Sequence, residues 1–298
     1  MFHVKLNDGY KVDIPSKIKC YDVVELISKN NISIVFKVIQ SVSNKAFAAK
    51  VIPLNHLRNQ KSIQTVDNEI NVLRSIRHQN IIRCYDAFNI KNERNDEMKV
   101  IIEEYCSQGN LLDYILKKGF KDENEKTRIM RSFFEAIAYL HSKQIAHCDI
   151  KLENILIDEE FNIKICDFGY SKNFNSKYNE NVNSTSIYAS PELKKDGKID
   201  FFKSDIWSIG IALYAMETKT FPYKNKSDVI SNKLDIEMKN EKMKRIIMKC
   251  LQRNPKSRPN VNELMNEEIF SMNKEEEDRI TQQIGPVTTN VSTNEVVK

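Results

Sequence analysis

Residues 147–154 read HCDIKLEN, which sets a histidine, two acids, a lysine and an asparagine in one short run. Asp149 and Asn154 stand five residues apart, so a carboxylate and an amide on one loop can point into one cavity. Downstream, Ile163-Lys164-Ile165 leads into Asp167-Phe168-Gly169. A rigid strand ending in an acid suits a metal ligand, and the glycine lets the chain turn away. Asn154 and Asp167 offer hard oxygen donors, which favour Mg²⁺ over zinc. Upstream, Lys50 falls in a strand-like run and Glu69 in a helix-like one. A strand lysine paired with a helical carboxylate can be held over a polyphosphate. Metal ligands, a phosphate-holding cation and a carboxylate base together describe phosphoryl transfer.

The elements that must carry these groups divide the chain. From Lys17 to Glu104, short β-type runs (Val23-Val24, Ile34–Val38, Phe47–Ile52, Val100–Ile102) are split by polar turns. Val66, Ile70 and Leu73 recur at helical spacing between them, with Glu69 beside that face, and Asn89 to Glu97 reads as a polar linker. From Leu111 the pattern turns helical. Ile129, Phe133, Ile137 and Leu140 recur at three- and four-residue steps, and Ile206–Met216 and Met243–Leu251 read as buried helices. The expectation is an α+β chain: an N-terminal extension over 1–16, a small β-rich lobe over 17–104, and a larger α-helical lobe over 105–270. A disordered tail is expected over 271–298, where an acidic run gives way to aperiodic Thr, Asn, Val and Ser. The extension leaves two options open, an added strand or a mobile arm.

Composition narrows the class. The 298 residues are 41% hydrophobic, enough for a sizeable core. A formal charge of +5 spread through mixed signs gives no nucleic-acid stripe. The six cysteines form no C-x-x-C pair, which argues against a zinc site and for a reducing compartment. No apolar stretch is long enough to span a bilayer, and the N-terminus shows neither an apolar signal core nor the acylation glycine. A cytoplasmic location is expected; oligomeric state is left open.

Taken in order, these motifs resemble the eukaryotic protein kinase family over roughly residues 20–270. Ala48-Ala49-Lys50 resembles the strand-lysine motif, Glu69 its helix partner, 147–154 the catalytic loop, and Asp167-Phe168-Gly169 the metal motif. Ser190-Pro191-Glu192 resembles the end of the activation segment, Asp205–Gly210 the buried-helix signature, and Arg258 the arginine that pairs with Glu192. The resemblance implies a bilobal kinase fold and transfer of the ATP γ-phosphate to serine or threonine of a protein, with Mg²⁺ (or Mn²⁺) as the metal. Asp149 would orient the substrate hydroxyl and accept its proton, and Lys151 would steady the phosphoryl group. Asn154 and Asp167 would hold the metal, and Lys50, paired with Glu69, would grip the α- and β-phosphates. Val35, Ala48 and Leu156 would enclose the adenine, with backbone groups of Glu104 and Cys106 at its edge. Ile27, Ser28, Asn30, Ser33 and Val35 fall on the phosphate-covering turn. Leu73, Cys84, His147 and Phe168 would stack as an internal spine on Asp205. Lys151 and Thr185 point to the serine/threonine type, and residues 68–88 and 205–216 look most like the calcium/calmodulin-dependent group. No basic amphipathic helix is legible after residue 270, so calcium control is not expected.

Three features depart from the family. Ser28, Asn30 and Ser33 replace the glycines of the turn. Backbone strain at Ser28 and weak nucleotide affinity are expected, unless the side chains themselves bond phosphate. Glu103 falls at the back of the adenine pocket, where it could compete with Glu69 for Lys50. Cys148 replaces the arginine that binds an activation-segment phosphate, and Asn181 occupies the usual phosphosite. Both halves of that switch are missing together, so activity independent of the usual phosphorylation is expected; Ser176, Ser184 and Thr185 remain candidate phosphosites. The alternative class is a catalytically weak or inactive kinase-shaped scaffold.

Overall fold

The computed structural model describes residues 1–57, 60–174, 187–194, 199–224, 228–229, 236 and 238–270. The expected tail and the candidate phosphosites Ser176, Asn181, Ser184 and Thr185 lie outside the described residues.

The N-terminal lobe is built on an antiparallel sheet in the order β3-β4-β5-β6-β8-β7. Its strands are β3 (Lys17–Ile18), β4 (Tyr21–Lys29), β5 (Ile34–Gln40), β6 (Ala46–Pro53), β7 (Cys84–Lys91) and β8 (Glu97–Glu104). Alternation sets the faces. Ile34, Phe36 and Val38 of β5 are buried while the residues between them are partly exposed. On β8, Val100 and Ile102 face one core, and Ile101 faces another with Val66 and Ile70 of α1 (Gln60–Ser75). The helix therefore docks on one side of the strand that ends at the cleft. Residues 89–97 are corrected from the polar linker expected: β7 runs to Lys91, β8 begins at Glu97, and only 92–96 turn. Asn92 closes this turn, its Oδ1 accepting the N–H groups of Arg94 and Asp96. A polar strand on the sheet edge carries little apolar alternation, which is why its pattern is faint.

Before Lys17, β1 (Phe2–Lys5) and β2 (Lys11–Ile14) form a hairpin. Its Val4, Leu6, Val12 and Ile14 enter the same core as Phe36, Val38 and Val100. Of the two options left open, the chain adds strands.

The second lobe is mainly helical: α2 (Leu111–Lys117), α3 (Glu123–Ser142), α4 (Phe201–Thr218), α5 (Glu241–Cys250) and α6 (Val261–Met265). Asn110, Asp122, Asp200, Asn240 and Asn260 cap these helices, each side chain accepting a backbone N–H of the first turn. Ile129, Phe133, Ile137 and Leu140 of α3 are all buried, as their spacing requires. Fully burying a side chain such as Phe133 stabilises by roughly 1.5–3 kcal/mol. Helix α4 is buried almost all round. A Cβ on its Gly210 would sit 2.7 Å from Cys250 Cβ, so glycine permits the close approach of α4 and α5.

Short strands position the chemistry. β9 (Ile145–Ala146) leads into the loop from His147, β10 (Ile155–Ile157) leads out of it, and β11 (Ile163–Ile165) pairs with β10 and delivers Asp167. β12 (Lys172–Asn173) pairs back on β9.

Candidate active site

Lys50 leaves β6 opposite Val35 of β5. Its Nζ lies 2.6 Å from Glu69 Oε1 and 3.5 Å from Asp167 Oδ1. Burial opposes charge on Lys50, but the carboxylates of Glu69 and then Asp167 outweigh it and hold the ammonium well above its usual range. Lys50 in turn holds Asp167 below the usual carboxylate range against the effect of burial.

Asp149 is fixed from two sides. Lys151 Nζ donates to its Oδ2 at 2.7 Å, and Asn154 Nδ2 donates to the same oxygen at 3.0 Å and to the Asp149 carbonyl at 2.9 Å. Burial works against the charge of Lys151, yet Asp149 keeps it protonated above its usual range. With Nδ2 so engaged, Oδ1 is the atom of Asn154 that could take a metal ion. That atom and the ionised Asp167 form a hard-oxygen pair that fits Mg²⁺ shared with phosphate. Asn154 and Asp167 are brought together by the Cys166 N–H, which donates to the Asn154 carbonyl at 2.9 Å.

His147 ties the loop to this metal motif. Its Nδ1 accepts the Asp149 N–H at 3.3 Å, so its Nε2 carries the proton given to the Cys166 carbonyl at 3.1 Å. The imidazole lies 4.9 Å from the Phe168 ring. Asp205 of α4 accepts the N–H groups of His147 and Cys148, each at 2.8 Å, and also meets His141 Nε2 at 2.9 Å. Cys148 and Asp167 both adopt left-handed backbone, φ 63° and 66°. Such conformations are uncommon outside glycine and mark places where surrounding bonds dictate the chain path.

Ser28, Asn30 and Ser33 lie on the β4–β5 turn, but none has positive φ. Ser28 instead occupies a bulged register opposite Val35. The strain expected at Ser28 is therefore absent. Asn30 does different work: its Oδ1 accepts the N–H groups of Ile32 and Ser33, both at 2.7 Å, and the Ser33 hydroxyl at 3.3 Å. The turn is wired internally by a side chain. Ile27 lies exposed just before it, Ala48 is buried, and Leu156 is partly buried on β10. The Glu104 N–H is given to the Arg83 carbonyl at 2.9 Å, while its carboxylate pairs with Lys164 at 2.7 Å. Cys106 is partly buried, its thiol pushed up to about 12 by burial.

Glu103 stands opposite Ala48 and is 8% exposed. The expected competition for Lys50 is not seen: the ammonium bonds Glu69, and Glu103 Oε1 has no hydrogen-bond partner. Burial, followed by the Glu69 charge, pushes its carboxyl up to about 8.

This arrangement coincides with the model of the protein kinase domain, which matches residues 21–270. The chain belongs to the protein kinase family. It is 35% identical over 214 residues to the serine/threonine-protein kinase kin-29 of Caenorhabditis elegans, covering 71% of this chain and 25% of that protein. It is 30% identical over 232 residues to the serine/threonine-protein kinase cds1 of Schizosaccharomyces pombe, covering 74% and 49%. It is also 30% identical over 272 residues to the probable serine/threonine-protein kinase nek2 of Dictyostelium discoideum, covering 86% and 64%. The chain thus spans between a quarter and two thirds of the length of these relatives.

Other kinase motifs fall where the sequence placed them. Arg258 forks onto Glu192, Nη1 to Oε1 at 2.5 Å and Nη2 to Oε2 at 2.8 Å, with its guanidinium 5.0 Å from the Trp207 ring. Around Cys148, where the family keeps its phosphate-binding arginine, stands an apolar cluster of Ala146, Phe174, Leu193, Ile199, Phe201 and Phe202. The Phe174 and Phe202 rings are 4.8 Å apart. Burial, followed by the Asp205 charge, drives the Cys148 thiol well above its usual range. One positioning residue escaped the sequence reading. Asn68, next to Glu69 on α1, donates from Nδ2 to the carbonyls of Phe168 at 3.3 Å and Ser171 at 3.0 Å. A lone asparagine on a helix carries no signal by type; only its adjacency to Glu69 could have drawn attention.

Proposed function

We propose that this chain is a serine/threonine protein kinase that transfers the γ-phosphate of Mg·ATP to a protein hydroxyl. The observation that carries this reading is Asp149, its carboxylate oxygen clamped between Lys151 at 2.7 Å and Asn154 at 3.0 Å on the loop whose Asn154 carbonyl accepts the Cys166 N–H beside Asp167. Asp149 orients the hydroxyl and takes its proton as the new bond to phosphorus forms and the bridge to the β-phosphate breaks, releasing ADP. Lys151 holds the Asp149 carboxylate in place and presents positive charge to the transferring group. Lys50, kept protonated by its acids, binds the α- and β-phosphates. Asn154 and Asp167 are the residues that would hold Mg²⁺, which when bound neutralises charge on the β- and γ-oxygens. Val35, Ala48 and Leu156 enclose the base, with Glu104 and Cys106 along its edge. Nothing in this set requires Mn²⁺, though the same oxygens would accept it.

Activity without an activation-segment phosphate is part of the proposal. The support is the apolar cluster at Cys148 together with the β9–β12 pair, which hold the root of the segment by packing and backbone bonds. A phosphate there would lack the charge-assisted pairing that gives it leverage. A cytoplasmic setting is supported by the six free thiols. The scaffold reading has one observation in its favour, the turn N–H groups already taken by Asn30. Phosphotransfer from Mg·ATP to a generic protein substrate, run beside Asp149→Asn, separates the two. Turnover above that control supports the kinase, and none supports the scaffold.

A further inference from the structure

The turn that covers the phosphates is held from outside by a hairpin that precedes the matched domain and by a short turn within it. Three segments meet there: the hairpin turn between β1 and β2, residues 29–31, and the 3-10 turn Leu54–His56 that follows the strand of Lys50. Three successive carbonyls of the phosphate-covering turn each accept a donor from these neighbours. Asn7 Nδ2 donates to Lys29 O at 3.4 Å, the Asn7 N–H donates to Asn30 O at 3.2 Å, and His56 Nε2 meets Asn31 O at 3.1 Å. In return, Lys29 Nζ donates to the Lys5 carbonyl at 2.6 Å.

His56 is the keystone of this contact. Its Nε2 also lies 2.8 Å from Asp8 Oδ2, and its ring stacks on Tyr10 with centroids 4.1 Å apart and planes 23° apart. The hairpin turn is itself preformed. Leu6 N–H bonds Tyr10 O at 2.8 Å, Gly9 adopts φ 96°, and Asp8 Oδ1 accepts the Tyr10 N–H at 3.2 Å. One Asp8 oxygen thus shapes the hairpin and the other reaches His56. From within, Asn30 Oδ1 fixes the N–H side of the same turn. A turn without glycine gives up freedom to mould itself to a ligand, and here both edges of its backbone are bound before any ligand arrives.

We propose that Asn7, Asp8 and His56 are positioning residues for nucleotide phosphates, holding residues 29–31 in one preorganised shape over the cleft. Rigidity of this kind lowers the ordering cost of binding. The proposal rests on the kinase reading, and the experiment tells the two apart. Equilibrium binding of Mg·ATP and of adenosine, which lacks phosphates, is measured for the wild-type chain, His56→Phe and Asn7→Ala, together with thermal midpoints. His56→Phe keeps the ring on Tyr10 and removes both Nε2 contacts. Losing one such hydrogen bond should weaken Mg·ATP by roughly fivefold, leave adenosine unchanged, and raise KM for ATP more than it lowers kcat. Asp8→Asn, which keeps an acceptor for His56, should fall close to wild type. Unchanged Mg·ATP affinity in both His56→Phe and Asn7→Ala overturns the brace alone. Equal weakening of adenosine and Mg·ATP also overturns it, because that pattern reports general loosening of the lobe. A wild-type chain that binds no Mg·ATP overturns the kinase reading and the brace with it.

Discussion

The ammonium of Lys50 and the carboxylate of Glu69 meet at 2.6 Å, with only 15% and 4% of their side chains exposed. A buried pair of this kind is destabilised more by losing one member than by losing both, because Lys50 is then left with only its longer contact to Asp167 at 3.5 Å. Glu69→Ala should therefore destabilise by about 3 kcal/mol. Lys50→Met combined with Glu69→Met should recover most of that stability while phosphotransfer stays lost. Denaturant titration beside the transfer assay checks the split; parallel loss of stability and activity in the double variant would assign the pair to packing alone.

Glu103 predicts a pH dependence of stability. Its carboxyl is pushed from the ordinary value of 4.5 up to about 8 in the folded chain. Between those values the folded state holds a proton that the unfolded chain has released. Stability from this group is thus fully present below the ordinary value and is lost as pH rises toward 8. The slope approaches about 1.4 kcal/mol per pH unit for one proton. Glu103→Gln should flatten the curve and raise stability near pH 8. Urea midpoints at several pH values measure it, and an unchanged slope in Glu103→Gln would locate the proton elsewhere.

On the β4–β5 turn, restoring glycine has no strain to relieve, since Ser28, Asn30 and Ser33 all have negative φ. Ser28→Gly should leave Mg·ATP affinity unchanged. Asn30→Gly removes the acceptor of the Ile32 and Ser33 N–H groups and should weaken binding by roughly 1 kcal/mol, the scale of a lost turn hydrogen bond. Calorimetric titration that shows tightening in either variant contradicts this account.

Treatment with phosphatase should leave most activity in place, because Cys148 and its phenylalanine neighbours occupy the ground where an arginine would bind phosphate. The same burial makes the thiol inert: a group held well above its usual pKa contributes little thiolate at neutral pH. Mild peroxide should act no differently on Cys148→Ser than on wild type. A large activity loss on dephosphorylation, or peroxide protection by that substitution, would reverse these expectations.

Strong periodicity and fixed motif order made the fold legible. The spacing of Ile129, Phe133, Ile137 and Leu140 on α3 depends only on local geometry. The β7 edge strand was hidden because its exposed residues lack alternation. The acidic and basic residues of the cleft could be named from type and order, and the structure joins Lys50, Glu69 and Asp167 in one hydrogen-bonded set and Asp149, Lys151 and Asn154 in another, linked by the Cys166 N–H on the Asn154 carbonyl. Contacts between segments distant in sequence were illegible. His56 meeting Asp8 and Asn31, or Asn68 reaching Ser171, depends on tertiary placement that no local pattern encodes. The turn misled for another reason: absent glycine implied strain, whereas an asparagine side chain supplied a different path for the same bend.

Asp205 turns the catalytic loop into a clock for the whole lobe. Its carboxylate, 1% exposed on α4, accepts the amides of His147 and Cys148. Both donors are held by a carboxylate buried in the helical lobe, so they are released only when α4 and the loop after β9 part. Fluctuations that fray loops elsewhere leave them untouched. In deuterated water they should therefore exchange only on cooperative opening of the α-helical core, at a rate that follows its global stability. Asp205→Asn should shorten their lifetimes to those of ordinary loop amides even where the fold survives.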